Sequence, residues 1–166
     1  YAGFDGEMCA AFRRLCARAD VITPNMTEAA FLTGRAYHPG TVTESEVESL
    51  LSALCALGTG VAAITGVLLE NGEIGNAVRD AKSGKICFST RKMHGGVFYG
   101  TGDIFASALS ALLVRGAPIE SALELATALV EGSIARSVLR GGDRRFGVDF
   151  EGALPEFLRS VQTLFE

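Results

Sequence analysis

The chain has 166 residues, 48% of them hydrophobic and 20% charged, which is enough apolar material for a real core and too much for a disordered chain. Its net charge of −4 and the absence of any Lys/Arg block exclude the electrostatic footprint of a nucleic-acid binder. No apolar run is long enough to span a bilayer and no signal peptide is recognisable, so a cytoplasmic globular protein with no membrane partner is expected.

The chain opens on Tyr1-Ala2-Gly3-Phe4-Asp5, without methionine. Asp5 suits an N-cap, and Met8, Phe12, Leu15 and Cys16 recur at helical spacing, which predicts an amphipathic helix over 6–18. Val21-Ile22-Thr23 reads as a short strand stopped by Pro24. Thr27 to Thr33 follows as a short helix closed by Gly34, a residue suited to the left-handed C′ position. After a loop over 35–42, Thr43 and Glu46 form a capping box, and Val47, Leu50, Leu51, Leu54 and Leu57 give the next helix its core face as far as Gly58. Val61 to Thr65 reads as a buried strand and Val67 to Leu69 as another. Asn71-Gly72 is a hairpin signal, with a return strand over Ile74 to Val78 and a further strand at Ile86 to Phe88.

Three helices complete the pattern. The first runs from Thr101 to about Val114 and ends at Gly116. The second opens near Pro118 and runs to about Leu139, where Gly141-Gly142 breaks it. The third covers Leu154 to Phe165 with Pro155 at its start. This order predicts an α/β layered fold whose sheet is mostly parallel with an antiparallel edge, flanked by helices. The four cysteines, Cys9, Cys16, Cys55 and Cys87, form no CxxC pair and read as buried free thiols of a reducing compartment, not as a zinc site. His38 and His94 lack ligand spacing and read as loop residues.

The chemistry gathers in Gly100-Thr101-Gly102-Asp103. Glycines at a loop-to-helix junction let backbone N–H groups approach an anion, and the helix start offers unpaired donors and a positive dipole end. A carboxylate beside a bound phosphate needs a task, and accepting a proton from an attacking hydroxyl is one. The competing reading makes Asp103 a plain helix cap. A second element, Thr23-Pro24-Asn25-Met26-Thr27-Glu28, puts Asn25 and Glu28 three apart between a strand end and a helix, where α/β sheets bind ligands. Their oxygens could hold a hydrated Mg²⁺ against phosphates, or could simply cap the helix. Thr65-Gly66, at a predicted strand end, is a weaker third element.

Together TPNMTEAAFLTG (residues 23–34), the ITG after a buried strand (64–66), VFYGTGDIFASAL (97–109) and the tail RFGVDFE (145–151) resemble the C-terminal half of pyridoxal/pyridoxamine kinases, in the ribokinase-like (PfkB) superfamily. The resemblance runs over nearly the whole chain. It implies the C-terminal half of a ribokinase-like layered fold and ATP-dependent phosphorylation of the 5′-hydroxymethyl group of pyridoxal, pyridoxamine or pyridoxine. Asp103 matches the family's general base, and Gly100, Thr101 and Gly102 match its anion hole. Asn25 and Glu28 match the residues that organise Mg²⁺, through water, and phosphates, while Thr23, Glu28, Thr65 and Gly66 match nucleotide contacts. Residues 91–98 fall where the family covers the nucleotide.

The resemblance further implies ATP and a B6 vitamer as partners, Mg²⁺ and a candidate monovalent cation as cofactors, and a homodimeric parent enzyme. Nothing matches the family's N-terminal half, so residues 1–166 are expected to be one partial domain that carries the ATP side and the base, and to be inactive in isolation. The alternatives are a hydroxymethylpyrimidine (phosphate) kinase and a non-catalytic nucleotide-binding fragment. Sugar kinases share only the GxGD element, and a Ser/His/Asp hydrolase lacks a GxSxG.

Overall fold

The computed structural model describes residues 5–36, 39–93, 95–96, 98–141 and 147–166. The chain divides into two compact units, Tyr1–Phe88 and Ser89–Glu166. In chain order the elements are α1 (Gly6–Cys16), β1 (Val21–Ile22), α2 (Met26–Thr33), α3 (Glu44–Cys55), β2 (Val61–Leu68), β3 (Glu73–Asp80), β4 (Ile86–Lys92), α4 (Thr101–Val114), α5 (Ile119–Arg140) and α6 (Leu154–Phe165). The strands form one sheet in the order β1-β2-β3-β4. β1 and β2 run parallel and the remaining pairs are antiparallel, so the expected α/β layering holds with a smaller parallel part than the element order suggested.

Local chemistry sets the helix ends of the first unit. Asp5 accepts a hydrogen bond from Met8 N at 2.9 Å and starts α1. At α3, Thr43 N donates to Glu46 Oε2 at 2.8 Å and Glu46 N donates to Thr43 Oγ1 at 3.2 Å, which is the predicted capping box. Gly34 closes α2 at φ 71°. The core of this unit joins Leu32, Val47, Leu50, Leu51 and Leu54 from the helices to Ala62, Ile64, Val67, Leu69 and Ala77 from the hairpin.

Three expectations change. Residues 61–68 form one strand, not two. β2 keeps pairing with β3 beyond Thr65, through Val67↔Gly75 and Leu68↔Ile74, and Gly66 sits in a bulge at φ 67°. The apolar residues of α1 do not supply a core face: Met8, Phe12 and Leu15 are 42–62% exposed. α1 instead meets α2 through Arg13, whose Nε donates to Leu32 O at 2.6 Å, satisfying a carbonyl of the last turn of that helix. Of the four free cysteines only Cys16 is buried, and desolvation pushes the Cys16 and Cys55 thiols up.

In the second unit α4 and α5 pack on each other, and α6 packs on α5. Phe105, Leu109 and Leu112 of α4 and Ala122, Leu123, Ala126 and Leu129 of α5 are buried. The Arg115 guanidinium lies 4.2 Å from the Phe165 ring centroid. β4 ends in a charged cluster that the sequence did not single out. Ser89 Oγ donates to Glu124 Oε2 at 2.6 Å, and Arg91 pairs with Glu124 and, at 3.0 Å, with Glu131, all across to α5. Burial by itself would raise the Glu124 carboxyl, but the hydrogen bonds from Ser89 and Arg91 outweigh it and hold the carboxyl below its ordinary range.

Two predictions follow from this packing. Leu51 is fully buried, so Leu51→Ala should cost about 2–5 kcal/mol of unfolding free energy, read as a lower urea midpoint. Glu124 has a lowered folded pKa, so its contribution is present above the unfolded carboxylate range and fades as pH falls through the folded value. Glu124→Gln should therefore be less stable than the parent at pH 7, with the two urea midpoints converging as pH falls through the folded carboxyl's range. Because the side chain is half exposed, added salt should shrink the pH 7 difference.

Candidate functional site

The first unit assembles five of the residues singled out from sequence. β1 leads through Thr23 and the buried Pro24 to Asn25, which forms an isolated parallel bridge with Thr65. Thr65 N donates to Pro24 O at 3.0 Å and fixes that register. Asn25 then caps α2: its Oδ1 accepts from Glu28 N at 2.9 Å, and Glu28 Oε2 accepts from Asn25 N at 2.9 Å. The two side chains thus form the N-cap pair that the sequence offered as the plainer reading, and the cap fixes their oxygens at the strand end. Next to Thr65, Gly66 is exposed, and a Cβ added to it would meet nothing within 4 Å. Thr23, Asn25, Glu28, Thr65 and Gly66 therefore lie together where β2 loses its parallel neighbour.

This donor set suits a hard cation held through water. Both candidate ligands present oxygen, and each has committed one oxygen atom to the cap, a geometry that favours outer-sphere contact. Among the described residues no three of His, Cys, Asp and Glu gather as a metal-binding group.

The second unit carries the other element. Gly100 occupies the N-cap position of α4 at φ 79°, a left-handed conformation natural to glycine, and no side chain caps the helix. The first intrahelical bond runs from Ile104 N to Gly100 O at 3.1 Å, so the N–H groups of Thr101, Gly102 and Asp103 precede the helical ladder. Cβ atoms on Gly100 or Gly102 would meet nothing within 4 Å, which leaves open space at the helix start. Asp103 is exposed in the first turn and does not act as the cap that the alternative reading required. The arrangement offers N–H donors outside the helical ladder, a positive dipole end and an adjacent carboxylate.

The segment 91–98 received no individual roles from sequence. In the structure Arg91 turns to Glu124 and Glu131, while Met93 is exposed. His38, His94, Val97, Gly142, Arg145 and Phe146 lie outside the described residues. Sequence reasoning missed the neighbour of the Gly100 turn: a Cβ on Gly147 would stand 3.6 Å from Tyr99 O. Glycine at a positive φ of 88° was its only local signal.

Known proteins can now be set beside this geometry. A family model described as phosphomethylpyrimidine kinase matches residues 4–147. No curated protein sequence matches the chain. Among solved structures, pyridoxal kinase from Lactobacillus plantarum is 36% identical with a TM-score of 0.83, over 96% of this chain and 56% of that one. A Bacteroides thetaiotaomicron protein provisionally named a phosphomethylpyrimidine kinase, crystallised in one form with pyridoxal, is 30% identical with a TM-score of 0.85, over 95% of this chain and 55% of its own. The ADP complex of Bacillus subtilis pyridoxal kinase is 26% identical with a TM-score of 0.66, over 78% of this chain and 49% of that one. The chain spans about half the length of these structures. With the family model covering most of its length, the chain belongs to the phosphomethylpyrimidine kinase family of the ribokinase-like superfamily.

Proposed function

We propose that the protein contributes the nucleotide side and the general base of an ATP-dependent kinase acting on a hydroxymethyl group of a heteroaromatic ring, with pyridoxal, pyridoxamine or pyridoxine as the substrate. The observation that carries this reading is the uncapped start of α4, where three N–H groups and the Asp103 carboxylate occupy one helical turn. Phosphoryl transfer asks for this combination of charge stabilisation and one base.

When bound, ATP supplies the γ-phosphoryl group and Mg²⁺ withdraws charge from its phosphate oxygens. The Asp103 carboxylate accepts the proton of the substrate hydroxymethyl as its oxygen forms the new bond to phosphorus and the bond to the ADP oxygen breaks. The N–H groups of Thr101 and Gly102 hold the negative charge that develops on the transferred group. Asn25 and Glu28 orient the water shell of the cation. Thr23, Thr65 and Gly66 line the nucleotide, Gly66 because it has no side chain to intrude.

Similarity to the Lactobacillus plantarum pyridoxal kinase, at 36% identity, favours the B6 ring. The family model favours a second reading, hydroxymethylpyrimidine or its phosphate. Both share the same base and anion hole and differ in the ring that is held.

Asp103→Asn, in an active enzyme carrying this sequence, should lower kcat by ~10²-fold or more with little change in KM for ATP, the contribution expected of a general base. Near-normal turnover would remove Asp103 from that role. Offered pyridoxal and hydroxymethylpyrimidine separately with ATP, the enzyme should show the higher kcat/KM for pyridoxal in a product assay by mass spectrometry. The reverse order would move the assignment to the pyrimidine.

A further inference from the structure

The second unit contains a polar cluster that the proposed chemistry does not use. Asp149, in the segment after α5, is largely buried, with a side chain 13% exposed. Its Oδ2 accepts from Arg136 Nε at 3.3 Å and pairs with Arg140 Nη1 at 3.0 Å, both on the last turns of α5. Its Oδ1 accepts from Gly152 N at 3.3 Å. Its own N–H donates to Ser137 Oγ at 2.7 Å, and that hydroxyl donates to Ser133 O at 2.8 Å. Gly152 packs close to this pair: a Cβ there would overlap the Arg136 guanidinium, which would have to move aside. Val148 beside it is buried. The segment is thus fastened to α5 by one carboxylate and one backbone bond, with two arginines converging on the same oxygen.

Two residues before Asp149, Gly147 runs beside Tyr99, near enough that a Cβ on it would stand 3.6 Å from Tyr99 O, one residue before the left-handed Gly100 that opens α4. That turn has no side-chain cap of its own. α5 packs on α4 and holds Asp149, and Asp149 holds the stretch that runs beside Tyr99.

We propose that Asp149 is a positioning residue for the phosphotransfer site: held by Arg136, Arg140 and Ser137, it sets the 147–149 stretch against Tyr99 and so fixes the Gly100 turn that aims the anion hole and Asp103. The inference rests on the role proposed above for Asp103. Its chemistry is one of alignment, and small displacements of a reacting group are costly in turnover.

The test compares D149N, D149E, D103N and the double variant D103N/D149N in an active enzyme carrying this sequence. D149N should lose ~10-fold in kcat with KM for ATP and for the hydroxymethyl substrate within about 2-fold of the parent, the signature of misalignment and not of lost binding. D149E, which keeps the charge, should recover most of the loss. The loss should shrink in the D103N background, because the base is gone and only the anion hole is left to misalign. Unchanged kcat in D149N overturns the proposal, and so does a loss that multiplies in full with that of D103N. Should D149N not fold, Arg136→Gln with Arg140→Gln removes the same pairs from the α5 side; it should show the same kcat loss, and unchanged kcat there is equally fatal. A D103N enzyme with full turnover sinks the base assignment itself, whereas a crippled D103N beside an intact D149N sinks only the positioning role.

Discussion

The first N–H groups of a helix need acceptors, and α2 finds them in its own first turn. Asn25 and Glu28 exchange side-chain and backbone hydrogen bonds, both at 2.9 Å, and their reciprocity leaves neither residue free to swing. The same cap fixes the end of β1, because Pro24 O receives Thr65 N and Asn25 bridges Thr65. Strand, turn and helix are thereby locked at one point, and the oxygens gathered there inherit that rigidity. α4 shows the opposite choice. Its N-cap is a glycine, which offers no side-chain acceptor, so among the described residues no side chain caps the donors of its first turn. A helix start that needs an acceptor attracts an anion, and one that is already satisfied can instead present its own oxygens.

How much of this could be read from the residues depended on range. The capping boxes at Asn25–Glu28 and Thr43–Glu46 are three-residue patterns with a fixed physical cause, and both formed as their spacing suggested. The Asn71-Gly72 hairpin and the glycine stops at Gly34 and Gly141 are equally local. The single strand over 61–68 was hidden because glycine within a strand pattern looks like an ending, whereas cross-strand pairing to β3 carries the strand through it. Arg13 was invisible for a different reason: its partner is a carbonyl at Leu32, 19 residues away, and no side-chain pattern announces a backbone acceptor. Asp149 and Arg91 find their partners only when α5 is placed, so their spacing in the chain carried no signal.

Polar groups settle the second unit as much as apolar ones do. Two clusters sit toward opposite ends of α5: Ser89 and Arg91 reach Glu124 and Glu131 in its first half and middle, and Asp149 reaches Arg136 and Arg140 at its end. Among the described residues each cluster contains charges in unequal number, one cation with two anions in the first and two cations with one anion in the second. Such groupings gain less from net attraction than from geometry, since each carboxylate can face its donors in only a few ways. The helix therefore serves as a ruler between the end of β4 and the tail segment, with α4 packed along it.

Strand β2 carries one residue more than its sheet needs. Ala62 and Ile64 face the same core as Val67 and Leu69, although simple alternation from Ile64 would send position 66 inward and 67 outward. Removing Gly66 from the count restores perfect alternation across all four. The extra residue thus contributes nothing to packing: it is exposed, its Cβ position is empty, and it costs the ladder one regular pair. A sequence under pressure only to fold would gain from deleting it. Its position, beside Thr65 where the parallel neighbour ends, makes it a spacer that pushes bare main chain out of the sheet, and the function proposed above gives that spacer a use, as main chain that a nucleotide can approach.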